Sequence, residues 1–191
     1  MVSADEFGRS LRGTAALLNR RPEGLAAFNV SEAGFWRSFA AILLTLPAYI
    51  VALALERHRL GLDAGGAFLF SDPGLAVRLA AGQVASFVAM PLAMIPIARR
   101  FGWGERYVPF VVVMNWAGVF GSLLLALPGV LYLVGFETAG LTDLFSLACI
   151  ALLLHLSWFV ARVTLKTGPV AAAAITLLGL GLDLAIGTVF G

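Results

Sequence analysis

Charge is what this sequence has least of. Asp, Glu, Lys and Arg make up 13% of its 191 residues, while 60% are hydrophobic; soluble domains carry roughly 25% charged and about 45–50% apolar residues. A chain this short of charge, with a mean hydropathy of +0.94, dissolves in lipid rather than in water. The net charge of +2 and the pI near 9.1 do not describe a nucleic-acid binder. The basic residues stand at the ends of apolar runs and form no stripe. Cysteine is nearly absent too. Cys149, alone inside LFSLACIALLL, can form no internal disulfide and lacks companions for a Cys-based metal site, so it reads as a small buried hydrophobe. Histidine is limited to His58 and His155, which excludes His-Glu-x-x-His metal chemistry. Gly-x-Ser-x-Gly, a P-loop and a Gly-rich dinucleotide turn are also missing. Ser157 is two residues from His155 and therefore on another helix face. No enzymatic activity, metal or cofactor is expected. Lysine occurs once, at Lys166, against twelve arginines, a codon signature of a GC-rich bacterial gene.

What the sequence does have is long apolar runs. A hydrocarbon core of about 30 Å takes about 20 apolar residues as a helix, and five stretches suffice: about 35–55, 74–98, 107–134, 141–163 and 169–190. Open sheets leave backbone groups unpaired in lipid, and barrel strands alternate apolar with polar residues, which these runs do not. The fold class expected is therefore all-α: a polytopic membrane bundle of five transmembrane helices over residues 34–191. Pro128-Gly129 raises the question of whether the third span stops early. Residues 1–33 hold no short basic head followed by an apolar core and small-residue cleavage site, so no cleavable signal is expected. Within them Phe7, Leu11, Thr14, Ala15 and Leu18 fall on one side of a helix and Arg9, Arg12 and Arg20 on the other. That pattern suits an amphipathic helix attracted to anionic headgroups, ended by Pro22, with Ser31 as N-cap of the first span. Ten basic residues against three fall on the side of the N-terminus, which predicts a cytoplasmic N-terminus and a periplasmic C-terminus in a bacterial inner membrane.

Ionisable groups inside a span are functional candidates when a partner can be named. Asp183 lies in the fifth span and Arg78 in the second; counted from the span ends they sit about 12 and 6 Å deep, close enough to pair. Asp143 competes for Arg78. Asn115 and His155 fall at similar depth in the third and fourth spans, and Gln83 sits near the middle of the second. Each is open to two readings: glue between helices, or part of an ion, proton or ligand path. Gly179, Asp183, Gly187 and Gly191 recur every four residues, a small-residue stripe that predicts close helix packing, as does Gly121. An odd number of spans with no internal similarity does not divide into transporter repeats, although a homodimer or another membrane-protein partner would supply the symmetry.

The loop after the second span reads ARRFGWGERYVPF, Ala98 to Phe110. Arg99, Arg100 and Arg106 surround Trp103, which suits a headgroup-zone anchor or a docking site for a cytosolic partner. With five spans and a polar N-terminal region, this Gly- and aromatic-bearing loop with its following proline resembles the bacterial Yip1-like membrane proteins. It lacks the Asp-Leu-Tyr-Gly-Pro type motif of eukaryotic members. The resemblance implies a non-enzymatic membrane scaffold or assembly protein. The alternative reading is a small transporter or channel subunit with a polar path through Asp183/Arg78 and Asn115/His155.

Overall fold

The computed structural model describes residues 3–59, 73–136 and 138–190. Among them there are seven α-helices and no strand: α1 (Ala4–Leu18), α2 (Glu32–Ala40), α3 (Leu46–Arg59), α4 (Pro73–Phe101), α5 (Gly104–Leu133), α6 (Ala139–Leu165) and α7 (Pro169–Phe190), with 3-10 turns at Pro22–Ala27 and Ala41–Thr45. Five helical stretches are long and apolar enough to cross a bilayer: Glu32–Arg59, Ala80–Phe101, Gly104–Leu133, Ala139–Leu165 and Pro169–Phe190. The chain is a multi-pass, all-α membrane protein.

The first span is not one helix. Pro47 has no N–H for the carbonyl of Leu43 and its ring crowds that turn, so the chain tightens into a 3-10 turn in which the Leu46 N–H takes the Leu43 carbonyl instead. The third span, in contrast, runs unbroken through Pro128. Gly129 packs on α3 there: a Cβ on it would meet the Val51 and Leu55 side chains at 3.3 Å. Pro128 still leaves the carbonyl of Leu124 without its intrahelical N–H. The thiol of Cys149, on α6, faces that oxygen at 3.9 Å.

α5 is the central helix. Half of its most apolar stretch is buried, against 17–22% in the other four spans, and Phe110, Val111, Val112 and Val113 are enclosed on every side. Two cores meet on it. One joins Leu17 and Phe28 of the N-terminal region and Ala41 of the first span to Val112, Val113, Trp116 and Val119 of α5 and Leu156 and Val160 of α6. The other joins Met94, Phe110, Val111, Ala161, Leu165, Ala172 and Ile175, from α4 to α7. The result is three layers: α1, then the α5–α6 pair with α2 and α3 beside α5, then the α4–α7 pair.

α1 forms where its pattern predicts, with Ser3 accepting from the Glu6 N–H at its start. The expected face is borne out in part: Thr14 is buried, Phe7 and Leu18 pack against the core, and Arg9, Arg12 and Arg20 are exposed. The most buried residues, Glu6, Ser10, Gly13, Thr14 and Leu17, are centred one position round from Phe7, Leu11 and Leu18. Small side chains let the helix come close: a Cβ on Gly13 would stand 2.7 Å from Ala27 Cβ and 2.9 Å from the Gly24 carbonyl oxygen. α1 therefore packs on protein. Phe7 meets Trp116 of α5 with ring centroids 6.3 Å apart, and Arg20, just past the helix, reaches His155 of α6, so α1 lies across both helices. The buried Glu6 carboxylate pairs with Arg37 Nε of α2 at 3.2 Å.

Candidate functional site

The fold brings the polar span residues together in a way that counting from span ends does not anticipate. Asn115 does not bond His155. Its Nδ2 donates to Ser38 Oγ at 2.9 Å, and Ser38 Oγ in turn donates to the Phe35 carbonyl at 2.7 Å. His155 Nε2 instead accepts from Arg20 Nε at 3.4 Å, an N-terminal partner outside the spans. Gln83 Nε2 donates to Thr45 Oγ1 at 2.8 Å, and that hydroxyl donates to the Ile42 carbonyl. In both chains a first-span hydroxyl relays the bond into its own backbone, so every donor involved has an acceptor.

Asp183 and Arg78 do not pair. Among the described residues the ion pairs are Arg37–Glu6 and Arg59–Asp143, the latter at 2.6 Å. The spacing along α4 explains it. Gly82 lies against Phe190 and Gly179 faces Met90, which places Asp183 opposite the turn at Ser86 and Phe87. Arg78 is then about 13 Å further along α4, and it is exposed. Depths counted from two helix ends can be compared only if the ends are level, and with Gly82 set against Phe190 α4 extends well past the end of α7. Asp143, the other candidate partner of Arg78, is taken by Arg59 of α3.

What Asp183 does face is a cleft of about 450 Å³ between α4, α5, α6 and α7. One face of each helix lines it: Gln83, Ser86 and Met90 on α4; Asn115, Gly118 and Ser122 on α5; Ile150, Leu153 and Ser157 on α6; Thr176, Gly179 and Asp183 on α7. The spacing of three, four and seven residues is that of a helix stripe turned to a common space. Small residues create the space. A Cβ on Gly118 would meet only Phe87, at 3.8 Å, and one on Gly179 only Met90, at 3.9 Å. The expected packing stripe on α7 is therefore not a tight helix contact, and Gly187 has nothing within 4 Å. Gly191 lies outside the described residues. Gly121 does mark a close approach, at 3.1 Å from Leu153. The tight contacts at Gly82 and Gly129 went unread in the sequence: Gly129 has no small residue four positions away, and Gly82 has one only in Ser86. Towards the Arg106 end the second core packs the same four helices together, so the cleft is blind there. His155 is not among its lining residues, and among the described residues Asp183 is the one charged side chain that is.

The loop between α4 and α5 is short. Gly102 takes a φ of +69°, which lets the chain reverse in two residues. Phe101 and Trp103 stack at 5.1 Å, with Arg100 beside Phe101. Arg99 and Arg100 are exposed, but Arg106 is engaged, its Nη1 donating to the Leu165 carbonyl at 2.8 Å. That bond closes the end of α6. No cluster of three metal-ligating side chains occurs among the described residues.

Five apolar spans, a buried central helix and an intramembrane cleft define a multi-pass helical membrane protein. No family model, curated protein or solved structure matches the chain.

Proposed function

We propose that this is a non-enzymatic membrane protein that takes a small ligand into the α4–α7 cleft, as the binding subunit of a small transporter or channel. One observation carries the reading: Asp183 lines a 450 Å³ cleft and has no ion pair among the described residues. A carboxylate that only fastens helices would be paired, because an unpaired charge in hydrocarbon is costly. A volume of about 300–1,000 Å³, mostly apolar with a few convergent polar groups, is that of a small-molecule site. The Yip1-like scaffold reading would use the Asp183 charge for packing, and among the described residues no basic side chain pairs with it. The positive-inside bias supports a bacterial inner-membrane location with the N-terminus cytoplasmic and the C-terminus periplasmic.

The test is the folded, monodisperse yield in detergent of Asp183→Asn, Arg78→Gln and the charge exchange between the two positions. Asp183→Asn is expected to fold as well as the parent. Collapse of both single variants with rescue by the exchange would return Asp183 to a structural ion pair and remove the basis of the proposal.

A further inference from the structure

We infer that the cleft takes an ammonium group carried on an apolar body, with Asp183 as its counter-ion. The inference rests on the reading of the cleft as a ligand site and specifies what fills it. Charge complementarity selects the ligand. Among the described residues Asp183 is the one charged side chain on the lining; it is exposed on its helix, and an exposed carboxylate within the hydrocarbon layer is stable only with a cation or a proton. An anionic ligand would place two negative charges together, and a neutral one would leave the carboxylate unmatched.

The remaining groups fit an ammonium better than a bulky cation without N–H bonds. An ammonium offers up to three donors. Hydroxyl acceptors line the cleft at Ser86, on the turn of α4 that Asp183 faces, and at Ser122, one turn beyond Gly118 on α5. Ser122 spends its own proton on the Val119 carbonyl, leaving its oxygen lone pairs to accept. The rest of the wall is Phe87, Met90, Leu153, Leu180 and similar side chains, which suit a hydrocarbon or aromatic body. Because the cleft is blind towards the Arg106 end, the ligand is bound there rather than threaded through. The amine belongs either to a free amphiphile or to the head of an amine-bearing lipid.

The experiment is calorimetric binding of 4-phenylbutylamine, 4-phenylbutanol and 4-phenylbutyrate, three ligands with one body and different charge. The full chain is held in phosphatidylglycerol nanodiscs, which contain no amine. The amine is expected to bind about ten- to a hundredfold more tightly than the other two, as a charge-assisted bond implies. Asp183→Asn removes that preference and Asp183→Glu keeps it. Gly118→Leu, which fills the cleft and leaves the carboxylate in the chain, abolishes amine and alcohol binding alike. If amine and alcohol bind equally, or Asp183→Asn retains the preference, the cation assignment is wrong while the cleft stands as a ligand site. If none of the three binds the parent, the ligand-site reading fails as well. Should Asp183→Asn not fold, Asp183→Glu and Gly118→Leu still decide between these outcomes. Repeating the titration with phosphatidylethanolamine in the nanodisc separates the sources: weaker amine binding in the parent means that the lipid amine competes for Asp183, and unchanged binding means that the ligand is a free amine.

Discussion

Asn115, Gln83 and Cys149 each give a polar atom in the apolar interior a partner on another span. Asn115 and Gln83 both end on a first-span hydroxyl, Ser38 or Thr45. Interhelical side-chain bonds in membranes contribute about 0.6 kcal/mol on average and at most about 2. A double-mutant cycle of Asn115→Ala and Ser38→Ala, read from unfolding in mixed micelles, should return a coupling in that range. His155→Ala should show no coupling to Asn115→Ala. Cys149 has a different task. It covers the Leu124 carbonyl that Pro128 leaves free. Cys149→Ala removes the donor and opens a small void, and should cost about 1 kcal/mol. The cost should shrink in a Pro128→Ala background, where the restored N–H satisfies Leu124. Equal costs in both backgrounds, measured by the same unfolding assay, would mean that the thiol only fills space.

The elements were legible to different degrees. The five spans follow from apolar length, which the bilayer thickness dictates, and the structure places five within a few residues of the expected bounds. The break in the first span follows from Pro47, yet hydropathy does not register it because both halves remain apolar. α1 was legible as a helix and in part as a face. Ser10 and Gly13, which the expected face left out, look polar on a hydropathy scale, but they are small, and small size is what permits helices to pack closely. The site was least legible, since it depends on the heights of four helices relative to one another, and only contacts such as Gly82 with Phe190 fix those. At this scale the close contact of Gly13 with Gly24 and Ala27 makes a further prediction. Gly13→Leu should push α1 off the bundle while the spans stay folded. Limited proteolysis in nanodiscs should then cut within residues 1–30 much faster than in the parent, with helical circular dichroism nearly unchanged. Unchanged cleavage would mean that α1 tolerates the added side chain.

Across the whole molecule, the α5–α6 pair is the wall shared by a docked N-terminal helix on one side and the ligand cleft on the other. Trp116 meets Phe7 through one side of α5, and its neighbours Asn115 and Ala117 line the cleft. Deleting residues 1–27 should expose Trp116, which is 1% accessible in the folded chain. Its fluorescence should shift to the red and become open to aqueous quenchers, with a lower thermal midpoint in detergent. A protein unaffected in both readouts would show that α1 adds nothing to the bundle core.

α1 also fixes how lipid must meet the protein. Arg9 and Arg12 on α1, and Arg20 and Arg21 just past it, are exposed where α1 crosses α5 and α6 at the height of Trp116 and His155, so acyl chains cannot reach past that height on this flank. From Trp116 to the end of α5 the apolar height is about 25 Å. On the opposite flank, α4 carries no charge between the exposed Arg78 and Arg99, about 30 Å along the helix. A bilayer core of about 30 Å fits that flank and is too thick for the one beneath α1, and hydrophobic mismatch costs a fraction of a kcal/mol for each ångström. A rigid body satisfies both flanks by leaning. Polarised infrared dichroism of oriented bilayers should report a mean helix tilt above the roughly 20° common to membrane helices, and the annulus of lipid around this protein should be of two thicknesses.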